Sequence, residues 1–223
     1  MDFAWLLEQV NEVPGEFVIR FMTSHPKDAG ERLFDVMARC EKVAPSLHLP
    51  FQSGSSRVLK AMNRHYTRES YLKLVHQLRA RIPDVVLTSD VIVGFPGETQ
   101  EEFEETMSLI EEVRYDALYT FIFSPRRGTP AEKLEDPMPK EQKSANFQRL
   151  LKRQNEISGE KHRAYVGGTY RCLVDGVGTD GRLSARTVGG RLIHLEGSAS
   201  LVGTWQQARI SDSSTWALFG DLV

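Results

Sequence analysis

The densest chemical signal in the sequence is TSDVIVGFPGET, Thr88 to Thr99. A β-rich run enters a Gly-Phe-Pro-Gly turn, and Thr99 with Glu102 three residues later forms a capping box that opens a helix. Glycines let backbone approach a ligand closely, and a helix N-terminus offers unpaired N–H groups to an anion. A tight βα turn whose glycines serve geometry alone accounts for the same spacing. Asp90 sits mid-strand among apolar neighbours, and an acidic residue on a buried strand face requires a partner, so it is a candidate ligand contact. Two earlier runs also end in polar turns, Thr23-Ser24-His25-Pro26 and Pro50-Phe51-Gln52-Ser53-Gly54. In a parallel sheet both ends share the carboxyl-terminal edge with Gly94, where ligands bind, although each alone also reads as a cap or turn. His25 and His48 lack metal-ligand spacing with any other His or Cys, so no metal is assigned; no Ser-His-Asp triad, P-loop or G-x-G-x-x-G pattern is read either.

The elements that must position these residues alternate between two periods. Phe17 to Met22, Ser46 to Phe51, Val85 to Val93 and Ala117 to Phe123 read as strands. Between them lie amphipathic helices: one starting at Asp28 with Leu33, Phe34 and Met37 inward, a short one over Ser55 to Met62, one capped by Thr67, and one capped by Thr99. Strands alternating with helices predict a parallel sheet, doubly wound or barrel. After the Arg126-Arg127-Gly128-Thr129-Pro130 loop, Lys140 to Arg163 reads as one long helix. Beyond it, Thr169 to Val174, Arg186 to Leu195 with a Gly189-Gly190 turn, Leu201 to Ile210 and Thr215 to Leu222 read as short strands, about five in all, which predict a small closed β-barrel. The expected domains are 1–138, a connecting basic helix over 139–163, and 164–223.

The 223 residues suit one large domain or a medium and a small one, and 40% hydrophobic with 26% charged residues is the composition of a folded chain. Cys40 and Cys172 are far apart and form no C-x-x-C pair, which leaves a disulfide framework or zinc knuckle unsupported. No run reaches membrane-span length, and the start carries Asp2 and Glu8 where a signal peptide needs basic then apolar residues, so a cytoplasmic location is expected. Charge is uneven: 16 basic and 22 acidic residues through 139, 8 and 3 over 140–172, and 4 and 5 thereafter. The basic segment is either a solvated helix face or a polyanion-binding stripe.

Read together, IRFMTSHPKD (19–28), LHLPFQSGSSRVLKAMNRHYTRESY (47–71), TSDVIVGFPGETQEEFEET (88–106) and FSPRRGTPAEKL (123–134) resemble the radical S-adenosylmethionine methylthiotransferases, the MiaB-type tRNA enzymes in particular. YRCLVDGV, GRLIHLEG and LVGTWQQARISDSSTWALFGDLV resemble the TRAM domain that closes these enzymes and binds RNA. The resemblance implies an α/β fold, a partial (β/α) barrel of the radical-SAM type followed by a small all-β TRAM (OB-like) barrel. It implies methylthiolation at C2 of N6-isopentenyladenosine beside the tRNA anticodon, position 37, with S-adenosylmethionine and [4Fe-4S] clusters as cofactors. The same resemblance makes Ser24, His25, Gln52, Ser53, Asp90 and Gly94 through Glu98, Gly97 included, candidate S-adenosylmethionine contacts. Arg126 and Arg127 become candidates for the nucleotide or the cofactor carboxylate, since guanidinium forks suit both. Arg163, Arg171, Arg182, Arg186, Arg191 and Trp205 become candidates for tRNA backbone and stacking contacts, with Trp205 equally a core residue.

One departure qualifies the match. The family's radical cluster needs a C-x-x-x-C-x-x-C loop and its auxiliary cluster three further cysteines, because iron is held here by thiolates. Neither set is present among the two cysteines. The sequence resembles the carboxyl-terminal half of such an enzyme, so this polypeptide alone is expected to carry no cluster and to be inactive. The alternatives are a non-catalytic tRNA-binding module, a relative acting on N6-threonylcarbamoyladenosine, and a cluster-free barrel enzyme, which would want a lysine or paired carboxylates at the strand ends. An incomplete parallel sheet exposes an edge, which makes a homodimer through that edge an expectation.

Overall fold

The computed structural model describes residues 1–22 and 25–223, and its buried apolar residues form two cores in sequence order. The first is built on a parallel sheet of β1 (Ser46–His48), β2 (Val86–Val93) and β3 (Ala117–Ile122), in that order. Around it run α1 (Phe3–Asn11), α2 (Glu31–Arg39), α3 (Ser56–Ala61), α4 (Arg68–Arg81), α5 (Gln100–Val113) and α6 (Lys140–Arg163). Leu87, Ser89, Val91 and Val93 of β2 are buried, whereas Thr88, Asp90 and Ile92 on its other face are half-buried. Asp90 pairs in register with Tyr119 and Ile92 with Phe121, and both aromatics are 54% exposed. One face of the sheet is therefore packed and the other open. Asp90 lies on the open face, which corrects the expectation that its strand face is buried.

Two sequence expectations fail near the amino terminus for local reasons. Phe17 to Met22 forms no regular strand, only a bridge between Ile19 and Val43. The next rung would need the Ala44 carbonyl and the Ser46 N–H, and these bond each other at 2.7 Å around Pro45. The helix expected from Asp28 begins at Glu31 with Gly30 as its N-cap, because residues Pro26–Asp28 first close a 3₁₀ turn. Leu33, Phe34 and Met37 do face inward. Elsewhere caps and periods agree with the structure: Thr67 and Thr99 each close a capping box, and α6 spans the expected residues.

The second core is a closed barrel, β4 (Thr169–Val177), β5 (Leu183–Thr187), β6 (Leu192–Leu195), β7 (Trp205–Ser213) and β8 (Leu218–Leu222), in the order β4-β5-β6-β8-β7. The run from Arg186 to Leu195 is parted at the expected Gly189-Gly190 turn into β5 and β6, and the φ of +95° at Gly190 suits glycine; β5 begins earlier than expected, at Leu183. The run from Leu201 becomes extended only at Trp205, after a 3₁₀ turn. α6 places Leu150 and Ile157 in the first core, and its His162 Nδ1 lies 3.1 Å and 2.9 Å from the Ser214 and Thr215 carbonyls at the barrel.

The β5–β6 turn docks at the amino-terminal ends of the parallel strands. Arg20 donates to the Thr187 and Val188 carbonyls at 3.0 and 2.9 Å, and a Cβ at Gly189 would sit 3.0 Å from Val86. The barrel and the carboxyl-terminal rim thus lie at opposite ends of β2, separated by about 20 Å at some 3.3 Å of rise per residue.

Candidate functional site

The rim is assembled by three crossings from strand to helix. Beyond β1 the chain stays registered with β2: Gln52 N–H donates to the Asp90 carbonyl, and Ile92 N–H to the Gln52 carbonyl, both at 2.9 Å. Ser89, fully buried, accepts from Phe51 N–H at 2.9 Å and donates to the Leu49 carbonyl at 2.7 Å. Tyr71 holds the same carbonyl at 2.8 Å, and the Tyr66 hydroxyl, pushed up to about 12 by burial, donates to the Phe51 carbonyl at 3.2 Å. These clamps keep Gln52 at φ +65°, a left-handed conformation that a non-glycine side chain adopts only when its surroundings over-determine it.

The Gly94–Thr99 turn is held by carboxylates of its own. Glu98 is 3% exposed and accepts from Gly94 N–H at 2.6 Å; burial is the main reason its carboxyl is raised to about 7. Glu102 accepts from Thr99 N–H at 2.9 Å and from Ser55 Oγ at 3.1 Å, and the hydrogen bond from Arg57 holds its carboxyl below the usual range. Arg57 also reaches the Gly97 carbonyl at 2.5 Å, which ties the 52–57 segment to the turn. From below, buried Lys143 of α6 donates to the Gly94 carbonyl at 2.9 Å and pairs with Asp136. The N–H groups of Gly94 and Thr99, which lead into the helix, are thus answered by Glu98 and Glu102.

Above this frame lies a cavity of about 710 Å³ lined by Gln52, Asp90, Ile92, Phe95, Phe121, Phe123 and Arg126, with Met62 to Arg64 on one side. His48 Nε2 approaches Asp90 at 3.4 Å from the neighbouring strand, and its Nδ1 lies 3.0 Å from Thr88 Oγ1. A carboxylate, a carboxamide, a guanidinium and three aromatic rings share one space. That set matches a zwitterionic amino-acid group joined to a flat heteroaromatic one, the carboxylate suiting an ammonium, the guanidinium a carboxylate, and the rings a base.

Of the rim residues expected from sequence, Gln52, Asp90 and Arg126 meet in this cavity. Ser53 is buried and accepts from Ser55 N–H at 3.2 Å, while Gly94, Gly97 and Glu98 build the turn. His25 caps the 3₁₀ turn through Nδ1, 3.1 Å from Lys27 N–H, with its ring edge-on to Tyr66 at 5.4 Å. Ser24 lies outside the described residues, and Arg127 is exposed in the loop without lining the cavity. Of these clamps, Ser89, Tyr66 and Arg57 were not singled out from sequence, Glu102 entered only as the capping-box partner of Thr99, and Lys143 only as one charge of the basic segment.

The arginines expected to face RNA divide. Arg163 is exposed; Arg171 lies over the Trp205 ring at 4.2 Å and pairs with Glu16; Arg186 and Arg182 pair with Asp175 and Glu196 at 2.7 and 3.0 Å. Arg191 is 7% exposed and turned inward onto buried Asp116, so an RNA contact by this side chain is not what its placement offers. On α6, Arg149 and Arg153 pair with Glu104 and Glu111 of α5, so much of the basic stripe is answered within the chain.

Cys40 is buried against the α/β core and Cys172 in the barrel core, and among the described residues no group of three His, Cys, Asp or Glu is placed to hold a metal. The residues present do not fit an iron–sulfur cluster. No helix among them is long and apolar enough to cross a membrane.

Comparison with known proteins accords with this arrangement. The Radical SAM superfamily model matches residues 2–110 and the TRAM domain model residues 163–223. Two curated relatives, each named tRNA-2-methylthio-N(6)-dimethylallyladenosine synthase, come from Acetivibrio thermocellus, 49% identical over 100% of this chain and 47% of that protein, and Alkaliphilus oremlandii, 47% identical over 100% and 48%. Among solved structures, "Coproporphyrinogen III oxidase (HemN) from Escherichia coli is a Radical SAM enzyme" matches with a TM-score of 0.51 and 16% identity, over 83% of this chain and 45% of that one, a likeness of fold. The chain spans about half the length of the curated relatives it matches. With an α/β unit and a closed β-barrel standing where the two family models match, the chain belongs to the radical SAM methylthiotransferase family that carries a TRAM domain.

Proposed function

We propose that this chain is the S-adenosylmethionine-binding rim and RNA-binding barrel of a tRNA methylthiotransferase, acting at C2 of N6-isopentenyladenosine at position 37 beside the anticodon. The observation that carries the reading is the cavity shared by Gln52, Asp90 and Arg126 at the carboxyl-terminal edge of the sheet. In it, Asp90 would hold the amino group of S-adenosylmethionine, Arg126 its carboxylate, and Phe95, Phe121 and Phe123 would shield the base from water. That cofactor, when bound, supplies the methyl group and the radical chemistry of the family. The chain's own part is to bind and orient it; no iron step is assigned to these residues, since their thiols do not fit a cluster.

The division into 1–138, a linking helix over 139–163 and 164–223 belongs to the same proposal, with Arg126 and Arg127 beside the modified nucleotide and Arg163, Arg171 and Arg186 towards the tRNA backbone. A cytoplasmic location follows from a tRNA substrate.

Calorimetric titration with S-adenosylmethionine tests the rim. Binding that falls about tenfold or more in Asp90→Asn, from loss of a charge-assisted hydrogen bond, supports it, and no saturable binding refutes it. Iron and sulfide reconstitution followed by EPR tests the assignment of no cluster, which a stoichiometric [4Fe-4S] signal on this chain would overturn. Salt-dependent binding of tRNA separates the RNA reading from a barrel enzyme of another class.

A further inference from the structure

A second concave site lies at the opposite end of the sheet, where the barrel meets the α/β unit. A cavity of about 540 Å³ there is lined by Arg79, Arg114, Lys161 and Arg191, with Tyr165 and Tyr170 among its walls. Two carboxylates, Asp84 and Asp116, share the lining, and Arg114 is further paired with Glu160 outside it. Asp116 is already saturated: one oxygen is paired with Arg191, the other accepts from Leu87 N–H at 2.7 Å and from Lys161 at 3.1 Å. Arg79 gives one nitrogen to the Val113 and Arg114 carbonyls, and its remaining N–H groups and a net positive charge are left over.

The Arg191 side chain is 6% exposed, yet its Nε has no hydrogen-bond partner among the described residues. A buried guanidinium N–H left unanswered is unfavourable, and native proteins leave few such groups. The face of Arg191 is fixed over the Tyr165 ring at 4.8 Å, so it is pre-positioned. Lys161 beside it has two ammonium protons beyond the one given to Asp116, and burial lowers its pKa, a penalty that an incoming anion would relieve.

We propose that this junction cavity is an anion site for a phosphate group, held by Arg191, Lys161 and Arg79. Guanidinium forks and an ammonium converging on a half-buried space suit a tetrahedral oxyanion better than a planar carboxylate, because several oxygens can each take a donor. The phosphate comes either from a free phosphate or nucleotide or from an RNA backbone. The site does not depend on the methylthiotransferase reading, since it lies at the other end of the sheet from Asp90.

The experiment is titration of the whole chain with inorganic phosphate, followed by calorimetry and by ³¹P line broadening, in the native protein, Lys161→Gln, Arg114→Gln and Arg32→Gln, the last an exposed arginine of α2 outside the cavity. Saturable binding is expected in the native protein and in Arg32→Gln, weakened about tenfold in Lys161→Gln by loss of a charged donor, with a smaller loss in Arg114→Gln. A second arm measures tRNA affinity against salt. If the phosphate belongs to RNA, inorganic phosphate competes with tRNA and Lys161→Gln lowers the salt slope by about one; if it is a free ligand, tRNA binding is unchanged while phosphate binding persists. Absence of saturable phosphate binding to the native protein, or equal binding by Lys161→Gln and Arg32→Gln when melting curves show both folded, overturns the proposal.

Discussion

Arg191, the last residue of the β5–β6 turn of the barrel, is buried against Asp116, which immediately precedes β3, and each is less than 8% exposed. The pair joins the two cores through charge, with Lys161 of α6 as a third member. Removing one partner of a buried ion pair leaves the other charge without compensation, which typically costs about 3–5 kcal/mol. Arg191→Met is expected to lower stability by about that amount, less whatever Lys161 recovers for Asp116. In scanning calorimetry the barrel should then melt ahead of the α/β unit; a single unshifted transition would show that the pair does not couple them.

Glu98 gives stability a pH dependence of known sign. Its folded-state pKa is raised from 4.5 to about 7, mainly by burial, so between those values the native state holds a proton that the unfolded state has released. Stability therefore falls as pH rises from about 4.5 through 7 and then levels, by an amount on the order of 3 kcal/mol. Glu102, Glu104 and Glu111 are shifted the other way by arginine hydrogen bonds, and their contribution is present above 4.5 and lost in acid. Urea midpoints measured from pH 5 to 8 should decline in the native protein and stay flatter in Glu98→Gln, which keeps an acceptor for Gly94 N–H. Parallel profiles for the two would refute this.

Gly94 is required twice over. Its φ is +72°, and a Cβ there would meet the Lys143 side chain at 2.6 Å. Gly94→Ala is expected to destabilise by about 1–3 kcal/mol. Adding Lys143→Ala should not restore stability, since the backbone strain remains and the Gly94 carbonyl loses its buried donor. Full recovery in the double variant would mean that the clash alone matters.

The open face of the sheet predicts self-association of the isolated chain. Among the described residues β3 pairs only with β2, and Tyr119 and Phe121, which share the open face, are each 54% exposed. An unpaired parallel edge beside apolar surface is a template for another strand. Sedimentation should show a dimer that Phe121→Glu dissociates. A native protein monomeric throughout the micromolar range would remove this expectation.

The sequence by itself determined most of the elements. Caps and hydrophobic period are local, so Thr67, Thr99 and the stripe of α5 announce their helices, and the turn residues after Val166 announce the barrel. It also showed which residues cluster at strand ends, because parallel βα order sends every such end to one rim. What it did not determine is which face of a strand is covered. Asp90 reads as buried because its neighbours are apolar, but only the packing of helices on one side of β2 makes Val91 core and leaves Asp90 open. Nor did it show that Glu98 and Lys143, 45 residues apart, brace Gly94 from two sides, or that Arg191 turns inward to Asp116 when Arg171 stays out on Trp205. An arginine carries the same charge wherever it stands in the chain. Whether that charge meets solvent, a ligand or a buried carboxylate is set by long-range packing, and here by the docking of the barrel on the feet of the strands.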